Sequence, residues 1–195
     1  MLELNFNPFP ILETERLTLR KVTMNDSQDV YKLRTSIEAM RYIGRPIPHS
    51  ISEAHDLINR IKEGIETNTA IGWGIFLKKQ SQLIGTIGYH KIEKEHYRAE
   101  IGYMLIPEFW NKGLMSEAIK QVLEFEFKTI KLHSIQANID PANQRSAAIL
   151  NKFGFVKEAY FKESFYSNGK FLDSEIYSLL KKHLDQISRQ RFKEN

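Results

Sequence analysis

The sequence predicts a single mixed α+β unit, and three observations carry that prediction. Short segments with every second residue apolar are interleaved with longer segments whose apolar residues recur at helical spacing. Capping signatures stand where segments of the second kind begin. Residues 99–118 then join a strand pattern, through one Pro and one Gly, directly to a helix pattern. At 195 residues the chain is long enough to bury a core without staples, and one domain over 1–195 is expected.

Residues 15–22 alternate, Leu17 and Leu19 against Thr18 and Arg20, as a first strand does. Thr23 and Asp26 form a capping-box pattern that opens a helix to about Ile37. Residues 44–48 carry two prolines and read as an irregular loop. Ser50 and Glu53 repeat the box before Ile51, Ala54, Leu57, Ile58, Ile61 and Ile65, which keep helical spacing. Strands follow at 71–77, 82–92 and 99–106, the first two joined by a turn at 79–81. A long amphipathic helix is predicted over 114–128, with Ala118, Ile119, Val122, Leu123 and Phe125 on its core stripe. A buried strand at 134–139 and a helix at 141–152 come next, the helix stopped by Gly154. Residues 155–165 and 171–180 flank Asn168-Gly169, a strong hairpin-turn signal.

Composition narrows the chemistry. The chain has no Cys, which excludes disulfides, a thiolate zinc site and a covalent Cys nucleophile. His49 and His55, like His90 and His96, match no compact helical ligand spacing, so no metal is expected. No apolar run reaches membrane-spanning length and the first ten residues lack a leader pattern, so a cytoplasmic protein without membrane contact is expected. The net charge of +4 fits nucleic acid, an acidic partner or an anionic cofactor. Much of the excess lies in 181–193, where a solvated helix face is the plain reading, and no nucleic-acid motif accompanies it.

A strand, a short loop and a helix start aim backbone N–H groups and a helix dipole at one spot, which suits phosphate. Further words specify the family. Leu12 to Arg20 (LETERLTLR) resembles the opening strand of the Rim-type (RimJ/RimL-like) branch of the GNAT acetyltransferase superfamily. AEIGY at 99–103 with WNKGLMSEA at 110–118 is similar to that branch's cofactor segment. DPANQRS at 140–146, KFGF at 152–155 and the closing NGK through DSEIYSLL resemble its later segments. Against the wider pattern Q/R-x-x-G-x-G/A, Trp110 takes the first position and Met115 the last, with Gly113 retained.

The resemblance implies a GNAT fold: a mixed, mostly antiparallel sheet of about seven strands with helices on both faces. It also implies direct acetyl transfer from acetyl-CoA to a primary amine, held between the early helices, the 45–50 loop and the closing hairpin. A protein N-terminus of the ribosomal-protein type is the expected acceptor, by a monomer or homodimer. A small-molecule amine such as an antibiotic or polyamine, or a non-catalytic acyl-CoA-binding role, are the alternatives.

Asn111, Lys112, Gly113, Leu114, Met115 and Ser116 are the candidates for the pyrophosphate, chiefly through backbone amides. The plain alternative is a turn that caps a helix. The resemblance implies a bulge that splays the strand at 103–106, so that Met104, Leu105 and Ile106 offer backbone groups to the pantetheine arm. The amide near Leu105 would then hold the thioester oxygen. Asn138 and Asn143 are further cofactor candidates on the same ground. Glu100 is the candidate general base, or else a strand carboxylate paired with an Arg such as Arg98. Ser146 is the candidate acid and cofactor contact, because Leu150 stands where many relatives place a Tyr. Asn143 as N-cap and Ser146 as first-turn filler is the structural alternative, and both can hold.

Overall fold

In the computed structural model, residues 1–183 other than Lys79 and Asn168 are described. The tail beyond them, Lys79 of the predicted turn and Asn168 of the hairpin signal lie outside the described residues. The strands are β1 (Leu12–Glu13), β2 (Leu17–Arg20), β3 (Ile71–Leu77), β4 (Leu83–Glu93), β5 (Arg98–Leu105), β6 (Ser134–Ile139), β7 (Val156–Ser167) and β8 (Lys170–Leu180). They form one sheet of eight in the order β1-β2-β3-β4-β5-β6-β8-β7. Every neighbouring pair is antiparallel except β5 and β6, which the crossover helix makes parallel. The helices are α1 (Ser27–Thr35), α2 (Ile37–Met40), α3 (Ile51–Glu66), α4 (Leu114–Phe125) and α5 (Gln144–Lys152).

The eighth strand is β1, whose two residues are too short to show a period. The predicted strand at 15–22 begins only at Leu17. Before it the chain turns, with the Leu17 amide donating to Thr14 Oγ1 at 2.9 Å. The Thr23–Asp26 box forms as expected, and a 3₁₀ turn, Met24–Asp26, precedes α1. The predicted helix to Ile37 breaks instead at Ser36, which turns extended and accepts from the Ala39 amide to cap α2. At α3 the box is shifted by one residue: Glu53 reaches the His49 amide at 2.7 Å, while Ser50 bonds Ser52. The last turn of the predicted 114–128 helix widens into a π turn, Glu126–Ile130.

Two buried clusters mark the two faces of the sheet. Trp73, Ile75, Ile87, Tyr89, Ala99, Ile101 and Leu105 pack with α4 and α5. Phe76, Leu83 and Ile106 pack with Val30 and Leu33 of α1 and Ala54 and Ile58 of α3. Because side chains alternate along a strand, β5 presents Ala99, Ile101, Tyr103 and Leu105 to the α4–α5 face. It presents Glu100, Gly102 and Met104 to the α1–α3 face.

The sheet is tight where β3 and β4 meet. A Cβ at Gly88 would fall on the Ile71 carbonyl oxygen and 2.7 Å from the Gly72 Cα. Backbone cannot yield as a side-chain tip does, so Gly88→Ala is expected to destabilise the fold by about 3 kcal/mol. A urea midpoint equal to wild type would refute this.

Candidate active site

The parallel pairing of β5 with β6 ends early. It covers Arg98–Ser134, Ala99–Ile135 and Glu100–Gln136, whereas β6 continues beside β8 to Ile139. The two strands therefore diverge after Glu100 and leave one edge of β5 open. The other edge stays in register with β4 from Glu100 to Leu105, and the irregularity in that ladder lies between His90 and Glu93. The expected splay is present without a bulge at 103–106. Loss of one neighbour opens the edge, so no extra residue is needed.

Register also decides which amides face the opening. The Ile106 amide donates to the Ile84 carbonyl at 2.9 Å, so Ile106 and, two residues before it, Met104 turn their backbone groups toward β4. Leu105 and Tyr103 turn theirs to the open edge. Met104 and Ile106 can thus meet a ligand through side chains but not through backbone donors. The Leu105 carbonyl is taken by Trp110 Nε1 at 2.8 Å, which fastens the following loop to the strand and leaves the Leu105 amide.

That loop passes through a 3₁₀ turn, Pro107–Phe109, and reaches α4 by two left-handed residues, Asn111 (φ 57°) and Gly113 (φ 76°), on either side of Lys112. Gly113 has no side chain to cap α4, and the Glu117 amide is the first to find an intrahelical acceptor, the Gly113 carbonyl at 3.0 Å. The amides of Leu114, Met115 and Ser116 are left as donors at a positive helix end. Lys112 and Arg145 stand over the Phe109 and Trp110 rings at 5.4 and 4.6 Å. Arg16 donates to the Lys112 carbonyl at 3.0 Å and pairs with Glu117 at 2.7 Å. Thr14 also bonds Glu117. Arg16 and Arg145 are additions to the sequence-derived set. For Arg16 no local signal exists, because it acts on a loop almost a hundred residues away.

Asn143 and Ser146 meet at the start of α5, where Asn143 Oδ1 accepts from the Ser146 amide at 3.1 Å. The capping role is therefore real, and it leaves the Ser146 hydroxyl available. Ser146 is the polar group beside the Tyr103 phenol, which lacks a well-formed hydrogen bond although it is buried. Burial pushes that phenol up to about 12, against the opposing effect of Ser146. Leu150 is buried in the core. A tyrosine thus comes to this corner from β5 rather than from α5. Asn138 is exposed on β6, two residues beyond the last pair with β5.

Glu100 lies on the opposite face. His90, its direct cross-strand partner, bonds its carboxylate at 3.1 Å, and Lys91 does so at 2.9 Å. Arg98 is instead paired with Glu93, because residues across a ladder lie closer than residues two apart on one strand. Burial alone would raise the Glu100 carboxyl, but His90 and Lys91 outweigh it and bring it down to about 2. The His90 ring lies over Gly102, where a Cβ would come within 2.7 Å of it. With a rise of ~3.3 Å per residue, Glu100 is roughly 10 Å of strand from Tyr103 and roughly 17 Å from Leu105.

The Gly44–Arg45 loop is drawn to the closing hairpin on the same side. Ser167 Oγ donates to the Gly44 carbonyl at 3.1 Å, and the Phe165 ring fills the space over Gly44. Along that hairpin Phe161, Phe165, Tyr166 and Phe171 are exposed.

Comparison with known proteins agrees with this geometry. Residues 16–156 match the family described as acetyltransferase (GNAT) domain. An uncharacterized N-acetyltransferase of Bacillus subtilis, YoaA, is 38% identical over 89% of this chain and 98% of its own. The ribosomal protein uS5-alanine N-acetyltransferase of Escherichia coli is 27% identical, covering 86% of this chain and 89% of its own. Spermidine N(1)-acetyltransferase of Vibrio cholerae is also 27% identical, over 88% and 97%. A GNAT-family acetyltransferase structure from Bacillus anthracis superposes with a TM-score of 0.78 at 28% identity, over 89% of this chain and 99% of that one.

Proposed function

The chain belongs to the GNAT acetyltransferase family and is an acyltransferase; from that premise we propose that it acetylates the free amine at the start of a polypeptide, of the ribosomal-protein type. Acetyl-CoA supplies an activated acyl carbonyl. The residues present suit it: uncapped amides of Leu114, Met115 and Ser116 beside Lys112 for a pyrophosphate, and open-edge amides of Tyr103 and Leu105 for an extended arm and a carbonyl oxygen. Asn138 and Asn143 border the same opening.

The observation that carries the polypeptide reading is the exposed aromatic hairpin tied to the Gly44–Arg45 loop. It extends the opening into a surface larger than a small amine can cover, and aromatic side chains are apt contacts for peptide. The uS5-alanine relative acts on such an acceptor.

Strand alternation separates the acid from the base. Ser146, with Tyr103 beside it, stands on the α5 face, where a departing thiolate takes up a proton. Glu100 and His90 stand on the α1–α3 face, where the incoming amine loses one. An α-amine of pKa about 7.7–8.0 is mostly protonated near neutral pH, so a base assists. Glu100 is too far along the strand to touch the acyl group directly. It serves through His90 and water, holding the ring from behind as a carboxylate does in other carboxylate–imidazole pairs.

Free-thiol release with acetyl-CoA and peptides of ribosomal-protein N-termini tests the reading. Peptides with a free first amine are expected to react and the same peptides blocked there to stay inert. Turnover of spermidine with no peptide turnover would overturn it. Ser146→Ala is expected to lower kcat by about tenfold to a hundredfold. Glu100→Gln should produce a similar loss, because the His90 ring then lacks the carboxylate that holds it. Full activity in the double variant would remove Ser146 and Glu100 from the chemistry, and coenzyme A binding without turnover of any acceptor would leave only an acyl-CoA-binding role.

A further inference from the structure

On the α1–α3 face of β5 a cation stands without an anion among the described residues. Arg34, on α1, is half-buried, and its Nη1 donates at 3.4 Å to the thioether of Met104. Among the described residues no carboxylate lies within ion-pair distance of it. Burial, followed by the charges of Arg45 and Arg60, lowers its pKa. Burial and both neighbouring charges thus work against its charge, whereas the other half-buried arginine on this face, Arg20, has Asp26 at 2.8 Å.

A partly desolvated guanidinium among like charges is costly until an anion joins it, and a carboxylate fits its fork with two hydrogen bonds. The location says whose carboxylate. Met104 precedes Leu105, whose amide faces the opening, and Arg45 follows the Gly44 that the hairpin holds. Arg34 and Arg45 therefore flank the approach of the amine, and Arg60 on α3 is near enough to Arg34 to add its charge. The uncapped helix end offered to phosphates begins beyond Gly113, past the Trp110 tether.

Building on the polypeptide reading above, we infer that the preferred acceptor carries a carboxylate close to its reacting amine, as an N-terminus with Asp or Glu among its first residues does, and that Arg34 engages it with Arg45 and Arg60 in support. A polycation meets repulsion at the same place, which excludes it by charge as well as by fit.

The test uses full-length protein, acetyl-CoA and two peptides that differ only in Asp or Asn at the second position. Wild type is expected to favour the Asp peptide about tenfold in kcat/KM, mostly through KM. Arg34→Met is expected to erase that preference, Arg34→Lys to restore part of it, and coenzyme A affinity to stay within about twofold. If Arg34→Met fails to fold, the exposed pair Arg45→Ala and Arg60→Ala is expected to reduce the preference severalfold. Equal use of both peptides by wild type overturns the inference and leaves the polypeptide reading standing. Loss of coenzyme A affinity in Arg34→Met also overturns it, since the guanidinium then serves the cosubstrate. Acetylation of free aspartate with refusal of every peptide keeps the carboxylate requirement and sinks the polypeptide reading. Acetylation of spermidine alone sinks both.

Discussion

Gly113→Val is expected to weaken coenzyme A binding by about a hundredfold while the fold survives. Gly113 holds φ at 76°, and a β-branched residue in that region carries strain of about 1–3 kcal/mol. Space is not the obstacle, since the nearest atom to an added Cβ is Arg16 Nη2 at 3.5 Å. Valine escapes by rotating the peptides on either side, which turns the donors of Leu114 and Met115 away from their common focus. A hundredfold corresponds to about 2.7 kcal/mol, within reach of that strain together with lost hydrogen bonds. Gly113→Ala should fall between valine and wild type. Titration calorimetry measures the effect and circular dichroism checks the fold. Wild-type affinity in the valine variant would remove the corner at Gly113 from the binding site.

Glu126→Gln is expected to make the protein more stable at pH 8, by on the order of 2–4 kcal/mol, and no more stable near pH 4.5. Glu126 is fully buried, with Oε1 accepting from the Leu132 amide at 2.8 Å and Oε2 without a partner. Burial raises its carboxyl to about 8, against the smaller opposing effects of the Leu132 amide and Lys181. The folded state thus keeps a proton that the unfolded chain, with an ordinary value of 4.5, gives up. The stabilisation is complete below pH 4.5 and drains away as pH rises to about 8. Glutamine keeps the acceptor for Leu132 and has nothing to ionise. Melting curves at pH 5 and pH 8 should therefore diverge for wild type and converge for the variant. Parallel behaviour of the two proteins would show that Glu126 is charged when folded.

Most strands and helices were legible because each carries its own period over enough residues. The strand at 134–139 was placed to the residue, and Trp73 sits in the core, its ring edge on Phe125 at 5.5 Å. Misses cluster where local pattern gives way to a distant partner or a backbone detail. The break at Ser36 replaces one helix by two through a single extended residue. The π turn after Phe125 follows from seating the Glu126 side chain inside, which a helical period does not express. At the site, the loop at 111–116 could be read from its Gly and its flanks. Which amides of β5 face outward could not, because that depends on the register with β4 and on where β6 leaves. Arg34, Arg16 and His90 are ordinary residues in sequence, and only contact with Met104, Glu117 and Glu100 marks them.

Glu117 is gripped by Thr14 and Arg16, so the first turn of α4 is fastened to a hairpin made a hundred residues earlier. Occupancy of the corner should therefore report at a distance: hydrogen exchange at the Leu17 amide, which Thr14 also holds, should slow when coenzyme A is added. The same tie couples the hairpin to the corner, so Thr14→Val, which removes one grip on Glu117 and no group at the corner itself, should loosen the ligand.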